Sequence, residues 1–531
     1  MSMAEKRKYG VGLQTFSDVI ERNCVYVDKT EYVWKMAQSG GKFFFLSRPR
    51  RFGKSLLIST LKAYFEGEKE LFRGLYIDNV EKEWVKYPVI RLDFSRGKYY
   101  ELDTLLQAID GMLREYEVKY SIRPNSEKAA NERMIDIIQT AYKVTGQKVV
   151  VLIDEYDAPM LDSITNVELQ DQIRERIRNL FSPLKGLNDY LRLVFLTGIS
   201  KFSQLSVFSE LNNLNIMTFD PAYEAICGIT EEELLTVMKP DIEWLAQSMN
   251  ELKPMTYNDT VDELKRMYDG YHFSYRMTDI YNPWSLLNAF DKGFIQNYWF
   301  STGTPASLIN LLRTQYLDIP QLEGVVTNME RFDAPTERIS DPIPVLFQSG
   351  YLTLKAYDAE ENEYTLGFPN KEVYEGFARS LYQYYCEDYV GSQDTVARAY
   401  SLLRRKRTTM EDFLEALRKW YAGIPYSITS KNQNEQLYQS LLYALLAGCG
   451  ADVHAEAQTS DGRMDIALRM QDAIYILEFK YDKTAEEAME QILRKDYAVV
   501  FAADPRSVYA VGLNIDSQKR TITSYEICKL K

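Results

Sequence analysis

The sequence predicts an α/β protein whose first part is a three-layer αβα domain, and three observations support this prediction. Short apolar runs rich in β-branched residues, typical of buried parallel strands, occur at 87–94, 148–157 and 191–198. Segments with helical periodicity lie between them, at 101–119 and 127–143. A chain of 531 residues is also too long for one hydrophobic core, so we expect several domains.

Changes in pattern along the chain predict four domains. The strand–helix alternation occupies residues 1–230, and a helical lid-like region of helices and loops covers 231–335. Residues 336–425 show a helix, a two-stranded hairpin and further helices, which predicts a winged-helix-like and helical region. Residues 426–531 show a helix, three strands, a helix and a strand, which predicts a second α/β unit.

Composition excludes several classes of protein. Hydrophobic residues make up 46% of the chain and charged residues 26%, values typical of a soluble globular protein. The net charge of −13 argues against a protein whose whole surface binds nucleic acid, although a local basic groove is compatible with it. Because the five cysteines are scattered without CxxC spacing and only two histidines are present, we expect neither a zinc framework nor a multi-histidine metal site.

Targeting and membrane segments are not visible in the sequence. The N-terminal stretch MSMAEKRKYGVG has no apolar core of the kind that a secretory signal needs. The longest apolar runs are much shorter than the roughly 20 residues of a membrane helix. We therefore expect a cytoplasmic protein with no membrane partner, and the sequence is compatible with a homo-oligomer.

A candidate phosphate-binding loop covers residues 47–55, between a strand-like run and a helix-like segment. Gly53, Lys54 and Ser55 open the helix. A Walker A loop requires this context, because backbone N–H groups and the lysine surround the phosphates while the hydroxyl binds Mg²⁺. Arg48 stands where the Walker A pattern has its first glycine, and this matters only if the position needs a positive φ or a very close backbone approach. The alternative is a basic turn that contains Gly-Lys-Ser by chance.

A second motif favours the nucleotide site. The apolar run 149–153 ends in Asp154 and Glu155, which is the Walker B pattern: Asp154 holds Mg²⁺ and Glu155 polarises the attacking water. Taken alone, such a pair of carboxylates could instead cap a helix. Both motifs, in this order within one α/β unit, predict a P-loop NTPase that binds ATP and Mg²⁺. The loop residues expected at the nucleotide are Arg51, Phe52, Gly53, Lys54, Ser55 and Leu56.

Six motifs in order make residues 8–290 resemble the AAA-like ATPase family: YVDKTEYV, SRPRRFGKSLL, LIDEYDAPM, FLTGISKFS, YDGYHFS and YNPWSLL. The resemblance implies that Arg48 is the family's normal loop residue. It also implies that Thr197 is a sensor-like residue near the γ-phosphate and that Asp28 and Lys29 lie close to the nucleotide. Arg50 and Arg51 either contact phosphate or form a solvated basic edge, and the sequence leaves both interpretations open.

A second candidate site lies near the C-terminus, where Asp465 on one predicted strand precedes Glu478, Phe479 and Lys480 on the next. Period-two alternation puts Glu478 and Lys480 on one face, and a hairpin can bring Asp465 beside Glu478. Two carboxylates bind a hard divalent ion such as Mg²⁺ or Mn²⁺, and the lysine can activate the hydrolytic water. For this pattern alone, a strand pair with ordinary surface charges is the alternative.

Glu435 on the preceding helix and Gln491 on the following helix extend this pattern, which resembles the PD-(D/E)XK nuclease superfamily over residues 426–525. The resemblance implies a restriction-endonuclease-like fold with catalytic Asp465, Glu478 and Lys480. Glu435 would then be a further metal ligand, and Gln491 would touch a backbone phosphate. The first half-motif is GRMD instead of Pro-Asp, and the alternative is a degenerate domain that only binds.

These motifs together predict an ATP-binding and ATP-hydrolysing protein whose metal-dependent nuclease domain acts on nucleic acid under nucleotide control, with DNA favoured over RNA. The alternative is a non-nucleolytic signalling ATPase whose C-terminal domain only binds a partner or nucleic acid. The hairpin within 342–380 contains AYDAEENEY, which is acidic. Because phosphate contacts need lysine and arginine, we expect this hairpin to pack within the molecule.

Overall fold

The computed structural model describes residues 6–125, 127–163, 166–199, 214–299, 322–329, 331, 341–385, 393–424, 435–459 and 462–531. They fall into two compact units, the first within residues 1–315 and 324–372 and the second within 316–323 and 373–531. The predicted division into four domains is finer than this and stays a prediction. No helix among the described residues is both long and apolar enough to span a membrane.

The first unit alternates strands and helices over most of its length. Its helices are α1 Phe16–Glu21, α2 Thr30–Gln38, α3 Lys54–Phe65, α4 Tyr76–Val80, α5 Leu102–Lys119, α6 Ala130–Thr145, α7 Ala158–Asp162, α8 Val167–Phe181, α9 Glu231–Thr236, α10 Lys239–Asn250, α11 Tyr257–Tyr268, α12 Pro283–Lys292 and α13 Ile343–Ser349. Its strands are β1 Phe43–Ser47, β2 Val89–Asp93, β3 Val149–Asp154, β4 Leu191–Gly198, β5 Leu214–Ile216, β6 Ile229–Thr230, β7 Ile280–Tyr281, β8 Val325–Thr327, β9 Thr353–Asp358 and β10 Glu363–Gly367.

A five-stranded parallel sheet in the order β2-β3-β4-β1-β5 forms the centre of the first unit. On one face of this sheet, alternate residues of β3 such as Val151 pack in one core with residues of α5, α6 and α8. Val150 and Leu152 point to the opposite face and are fully buried as well. Both faces are therefore covered, which confirms the predicted α/β fold. The parallel pairing brings the carboxyl ends of β1, β4 and β3 to one edge of the sheet.

The rest of the first unit contains further helices and short antiparallel strands. Helices α9 to α12 and the antiparallel pair β6–β7 share a second apolar core. The helix α13 and the hairpin β9–β10 confirm the helix–strand–turn–strand pattern predicted within 342–380, and β8 pairs with β10 as a third strand that the sequence did not predict. That this segment is a winged-helix domain stays a prediction.

The second unit is a mixed five-stranded sheet with helices. Its helices are α14 Lys371–Tyr385 (which starts at the unit boundary), α15 Gln393–Arg404, α16 Met410–Ala422, α17 Glu435–Gly448 and α18 Ala485–Arg494. Its strands are β11 Asp452–Thr459, β12 Gly462–Arg469, β13 Ala473–Tyr481, β14 Ser507–Asp516 and β15 Thr521–Lys529, in the spatial order β11-β12-β13-β14-β15.

Only the β13–β14 pair of this sheet is parallel, because α18 connects the two strands, whereas the other neighbouring pairs are antiparallel. The predicted order of helix, three strands, helix and strand is confirmed, and β15 follows as an additional edge strand. At Gly512 a Cβ atom would lie 2.5 Å from the Ala485 carbonyl oxygen, so glycine permits the close approach of α18 to β14.

Candidate active sites

The loop after β1 turns directly into α3, and Lys54 is the first helical residue. Gly53 has a φ of +90°, and no heavy atom lies within 4 Å of the place where its Cβ would be. Glycine is therefore required here by backbone conformation and not by crowding. Arg51 also has a positive φ, of +69°, whereas Arg48 does not. The departure from the Walker A pattern at Arg48 consequently causes no backbone strain.

Arg48 is a buried structural residue, only 1% exposed. Its guanidinium donates hydrogen bonds to four backbone carbonyls, those of Ser47, Thr218, Tyr223 and Glu224. It also lies 4.1 Å from the centre of the Phe273 ring. Burial lowers the pKa of Arg48 to about 10. The side chain thus ties the phosphate loop to the segment after β5, a role that sequence reasoning did not identify.

A cavity of about 410 Å³ adjoins the loop, within the size range of small-molecule sites. Eight of the residues predicted at the nucleotide line it, namely Lys29, Arg51, Phe52, Gly53, Lys54, Ser55, Leu56 and Glu155. Its remaining wall includes Val27, Cys227, Trp284 and Leu287. The structure therefore brings most of the predicted nucleotide-binding residues together around one space.

Lys54 is held inside the loop. Its ammonium donates to the backbone oxygens of Arg48 at 2.9 Å and Pro49 at 3.0 Å, and the residue is 5% exposed. Burial lowers the pKa of Lys54, against the attraction of Glu155 and other nearby carboxylates. A phosphate oxygen in the cavity would give this buried cation an anionic partner.

Asp154, at the end of β3, is fully buried and only partly satisfied. Its Oδ2 accepts from Arg91 at 3.1 Å. Its Oδ1 has no hydrogen-bond partner among the residues that the structure describes. Burial, and then the charge of Asp93, raise the pKa of Asp154 to about 6. The nearby Ser55 hydroxyl favours the charged form and so lowers the pKa of Asp154, against the larger effects that raise it. A hydroxyl and a carboxylate with an unused buried oxygen are a donor set that fits Mg²⁺.

Two residues placed near the nucleotide by resemblance have other partners. Asp28 accepts the backbone N–H of Thr30 at 2.8 Å and that of Tyr76 at 2.6 Å, which are the first residues of α2 and α4. Asp28 does not line the cavity. Lys29 does line it, and its ammonium contacts Glu233 at 2.6 Å. Asp28 is therefore a residue that organises helix starts, and Lys29 is a cavity residue.

The ends of β3 and β4 carry the other two candidates. Glu155 has a φ of +47°, a conformation that non-glycine residues rarely adopt, and it lines the cavity. Such strain persists where the surrounding structure holds a functional side chain in place. Thr197 is fully buried, and its hydroxyl donates to the Leu46 carbonyl at 2.7 Å. The structure thus places Glu155 at the cavity and Thr197 in the sheet behind it.

Aromatic residues from two later motifs, and Trp299 beyond them, contact the loop. Trp284 lines the cavity, and the Arg51 guanidinium lies 4.1 Å from the centre of its ring. The indole N–H of Trp299 donates to the Arg50 carbonyl at 3.2 Å. Phe52 packs edge-on against Tyr271 and Phe273, with ring centres 4.8 and 5.5 Å away. Sequence reasoning gave these aromatic residues no role at the nucleotide, although the aromatic density of YDGYHFS and YNPWSLL was visible; Trp299 lies outside both motifs.

The second candidate site is a group of three carboxylates in the second unit. One carboxylate oxygen each from Glu435, Asp465 and Glu478 lie within 4.8 Å of one another. Glu435 begins α17, Asp465 lies on β12 and Glu478 on β13. The antiparallel register pairs Ile466 with Leu477, so that Asp465 and Glu478 are the next residues along the two strands. The predicted juxtaposition of the two acidic residues is therefore present.

The two strands separate at this point. Their pairing ends at Ile466, and the backbone N–H of Phe479 donates to Asp465 Oδ2 at 2.7 Å instead of to a backbone carbonyl. Phe479 itself is fully buried. On the other side, the Gln439 side chain donates to the Asp465 carbonyl at 3.0 Å. These contacts hold the Asp465 carboxylate toward Glu478.

Lys480 and Gln491 both reach the same carboxylate. The Lys480 ammonium lies 3.1 Å from Glu478 Oε1 and 3.5 Å from Glu435 Oε1. Gln491 donates to Glu478 Oε1 and lies 3.4 Å from the Tyr497 hydroxyl. Glu478 is fully buried, and its Oε2 has no hydrogen-bond partner within the described part of the chain. Contact of Gln491 with a phosphate stays a prediction, since its amide here orients Glu478.

The charges at this centre do not balance. Burial, and then the charge of Asp465, raise the pKa of Glu478 to about 8. Burial opposes the charge of Lys480, but Glu478 and Glu435 outweigh it and raise the pKa of Lys480. Three carboxylates face one ammonium, and a buried carboxylate oxygen is unused. A divalent cation bound through oxygen would correct both features, so the residues fit Mg²⁺ or Mn²⁺.

Comparison with known proteins relates both sites to known domains. A family model described as predicted AAA-ATPase matches residues 10–208, and a model of the PD-(D/E)XK nuclease superfamily matches residues 433–525. A protein from Azotobacter chroococcum mcd 1, named "uncharacterized protein in vnfD 5'region", is 32% identical to the chain over 540 residues. The similarity covers 98% of this chain and 99% of that protein, so it extends over both matched regions.

Proposed function

The chain belongs to the family of AAA-ATPase-like proteins that carry a C-terminal PD-(D/E)XK nuclease superfamily domain, and from this premise we propose that its first unit hydrolyses ATP while its second unit cleaves nucleic acid. One observation carries the proposal. Each unit holds a fully buried carboxylate with an oxygen unpartnered among the described residues, Asp154 Oδ1 and Glu478 Oε2, beside donors suited to a divalent metal.

In the first unit, the N–H groups at the start of α3 and the Lys54 ammonium bind the β- and γ-phosphates. Mg²⁺ bound with the nucleotide would neutralise phosphate charge, and Ser55 and Asp154 are the residues that would hold it. Glu155, at the cavity, orients the attacking water and accepts its proton. We also propose that Thr197 is a sensor-like residue. Its hydroxyl would exchange the hydrogen bond to the Leu46 carbonyl for one to the γ-phosphate.

In the second unit, Glu435, Asp465 and Glu478 would hold a divalent ion, which supplies Lewis-acid polarisation of the scissile phosphate and its attacking water. The Lys480 ammonium lies beside that water and stabilises the charge that develops on the phosphorus-bound oxygens. The water oxygen bonds to phosphorus and the bond from phosphorus to the leaving sugar oxygen breaks. The attacking water gives a proton to bulk water, and the leaving sugar oxygen takes up a proton from bulk water. Gln491 holds Glu478 in place and contacts the backbone phosphate.

We further propose that nucleotide state controls cleavage, that Mg²⁺ is the ion at both centres, that DNA is preferred to RNA, and that the protein works in the cytoplasm. The division into four domains, with a winged-helix-like segment, belongs to the same proposal.

Coupling between two binding sites is reciprocal. Saturating nucleic acid should therefore change the affinity for ATP by the same factor by which ATP changes the affinity for nucleic acid.

The test is a cleavage assay with the full chain on single-stranded DNA, duplex DNA and RNA, with and without ATP and with Mg²⁺, Mn²⁺ or EDTA. We expect metal-dependent cleavage that Asp465→Ala removes while ATP hydrolysis continues. Asp472→Ala is a matched control, because this exposed carboxylate lies on the β12–β13 turn and contacts only the surface residue Lys406 among the ion pairs described. Cleavage that survives Asp465→Ala would contradict the assignment.

The alternative, a non-nucleolytic signalling ATPase, is favoured by the acidic hairpin β9–β10 and by the net charge of −13, both of which weaken attraction to phosphate. It predicts ATP hydrolysis without cleavage of any of the three substrates under any metal condition. ATP turnover together with metal-dependent cleavage would rule this alternative out.

A further inference from the structure

Beyond the residues that the sequence identified, a chain of hydrogen bonds leads to Asp154 from the neighbouring strand β2. The backbone N–H and the hydroxyl of Ser95 donate to Asp93 Oδ1 at 3.0 and 2.6 Å. Nη2 of Arg91 donates to Asp93 Oδ2 at 3.3 Å and to Asp154 Oδ2 at 3.1 Å. A single guanidinium nitrogen therefore connects the carboxylates at the ends of two strands.

The sheet itself creates the need for this cation. The parallel register of β2 and β3 places Asp93 directly beside Asp154, and Arg91, two residues earlier, projects from the same face of β2. Like charges on adjacent strands repel each other. The Arg91 side chain is only 19% exposed, so water screens this repulsion little and the guanidinium compensates it.

We propose that Arg91 is a positioning residue for the metal that accompanies ATP: by binding Oδ2 of Asp154 it turns Oδ1 of that carboxylate toward the ion. The inference rests on the proposed ATPase function of the same site. Residues that hold a metal ligand from behind set its orientation, and losing them typically weakens metal binding by about 10- to 100-fold.

Asp93 supports Arg91 and is not itself placed to bind the ion. Both of its oxygens already accept hydrogen bonds, Oδ1 from Ser95 and Oδ2 from Arg91 and Arg96. Asp154 differs, because its Oδ1 has no partner in the described part of the chain. Ser95 therefore holds Asp93 in place, Asp93 holds Arg91, and Arg91 holds Asp154.

The test measures binding of a fluorescent ATP analogue to the full chain while Mg²⁺ is titrated, and again in EDTA. For Arg91→Gln we expect the Mg²⁺ concentration at half-saturation to rise about 10- to 100-fold, with binding in EDTA unchanged. Arg91→Lys should restore part of this loss, because both bonds come from one nitrogen that an ammonium can replace. Arg96→Ala is the control: this arginine also contacts Asp93, at 3.4 Å, but its side chain is 65% exposed, and it should leave the titration unchanged.

If the Mg²⁺ concentration at half-saturation for Arg91→Gln lies within twofold of the wild-type value, the inference is overturned. An equal loss of nucleotide binding with and without Mg²⁺ would overturn it as well, because that result indicates a purely structural role. If Arg91→Gln does not fold, Asp93→Asn removes the anchor and keeps the arginine; a severalfold rise is then expected, and no change overturns the inference. A wild-type protein whose nucleotide binding ignores Mg²⁺ would instead refute the proposed ATPase site.

Discussion

The phosphate-loop cavity of the first unit and the carboxylate centre of the second unit are alike in one respect and opposite in another. Each site has a fully buried carboxylate with an oxygen that has no hydrogen-bond partner among the described residues: Asp154, at the end of β3, in the first unit and Glu478 in the second. Cations surround the cavity, which is lined by Lys29, Arg50, Arg51 and Lys54. At the carboxylate centre, three acidic side chains face one lysine.

This difference in charge indicates how each site obtains its metal. The cavity suits a polyanion that brings its own ion, since its free protein ligands are few and its field is positive. The carboxylate centre suits a cation that binds the protein first and then attracts a phosphate. The first site should therefore bind metal only together with nucleotide, and the second should bind metal alone.

The largest effect is expected at Glu155. Glu155→Gln should keep binding of Mg²⁺-ATP but lower turnover by about 10³-fold, because water activation is lost while the phosphate contacts remain. Lys54→Ala should instead abolish tight binding, because it removes the buried cation at the phosphates. Calorimetric titration with ATP and a phosphate-release assay separate the two results. Equal loss of ATP affinity in both variants would show that Glu155 acts in binding.

Arg48→Gly restores the first Walker A glycine and should destabilise the protein. The substitution deletes a buried guanidinium and leaves four backbone carbonyls without their donor, which costs about 3 kcal/mol. Denaturant unfolding followed by circular dichroism measures the loss. Arg114→Ala, which removes a 56% exposed arginine paired with Asp110, is the control and should change stability by less than about 0.5 kcal/mol. A stable, more active Arg48→Gly would show that the loop prefers the standard pattern.

Lys480→Ala should separate catalysis from metal binding at the second site. We expect cleavage to fall by about 100-fold, because the cation beside the attacking water is lost. Mn²⁺ affinity should stay the same or increase, since one positive charge leaves a cluster of three carboxylates. Calorimetry with Mn²⁺ and a cleavage assay on the same preparation measure both quantities. A large loss of Mn²⁺ binding would mean that Lys480 holds the carboxylates in place.

The two centres should also respond to pH in different ranges. With the pKa of Glu478 raised to about 8, its proton must leave before a metal binds, so Mn²⁺ affinity should rise about 50-fold between pH 6 and pH 8. At the first site the pKa of Asp154 is raised to about 6, so most of the pH-dependent change in metal affinity should occur below pH 7. Calorimetry at several pH values tests this, and a flat profile for Mn²⁺ between pH 6 and pH 8 would contradict it.

The raised pKa of Glu478 also makes the stability of the folded protein depend on pH. Without metal, the folded state holds the Glu478 proton between pH 4.5 and about pH 8, whereas the unfolded state has released it. This contribution to stability is complete below pH 4.5 and is lost as the pH rises toward 8. Thermal unfolding in EDTA should therefore show a stability that decreases across this range. The decrease should be smaller in the Glu478→Gln variant, in which groups such as Asp154, whose pKa is also raised, still contribute.

Local patterns made much of this molecule predictable. Strand alternation and the GKS and DE motifs placed Lys54, Ser55 and Glu155 around one cavity, and the predicted hairpin placed Asp465 beside Glu478. The structure brings these residues together because the patterns depend on residues close in sequence or on neighbouring strands; the functional roles of the residues stay predictions. Asp28 is a different case: its position two residues before Thr30 could have indicated a helix start.

Long-range partners could not be predicted in this way. Arg48 owes its role to carbonyls about 170 residues away in sequence, and nothing in its neighbourhood indicates them. Arg91 lies in an apolar run where an arginine looks like an edge charge, and its importance appears only when β2 and β3 are in register. Trp284 likewise reaches the cavity through packing of a helix far from the loop.

The most direct test of the account is anomalous diffraction from crystals of the full chain with Mn²⁺, grown with and without a non-hydrolysable ATP analogue. We predict Mn²⁺ among Glu435, Asp465 and Glu478 in both crystals, and Mn²⁺ beside Ser55 and Asp154 only with the analogue. Absence of an anomalous peak among the three carboxylates at saturating Mn²⁺ would contradict the claim that the second unit is a metal-dependent nuclease.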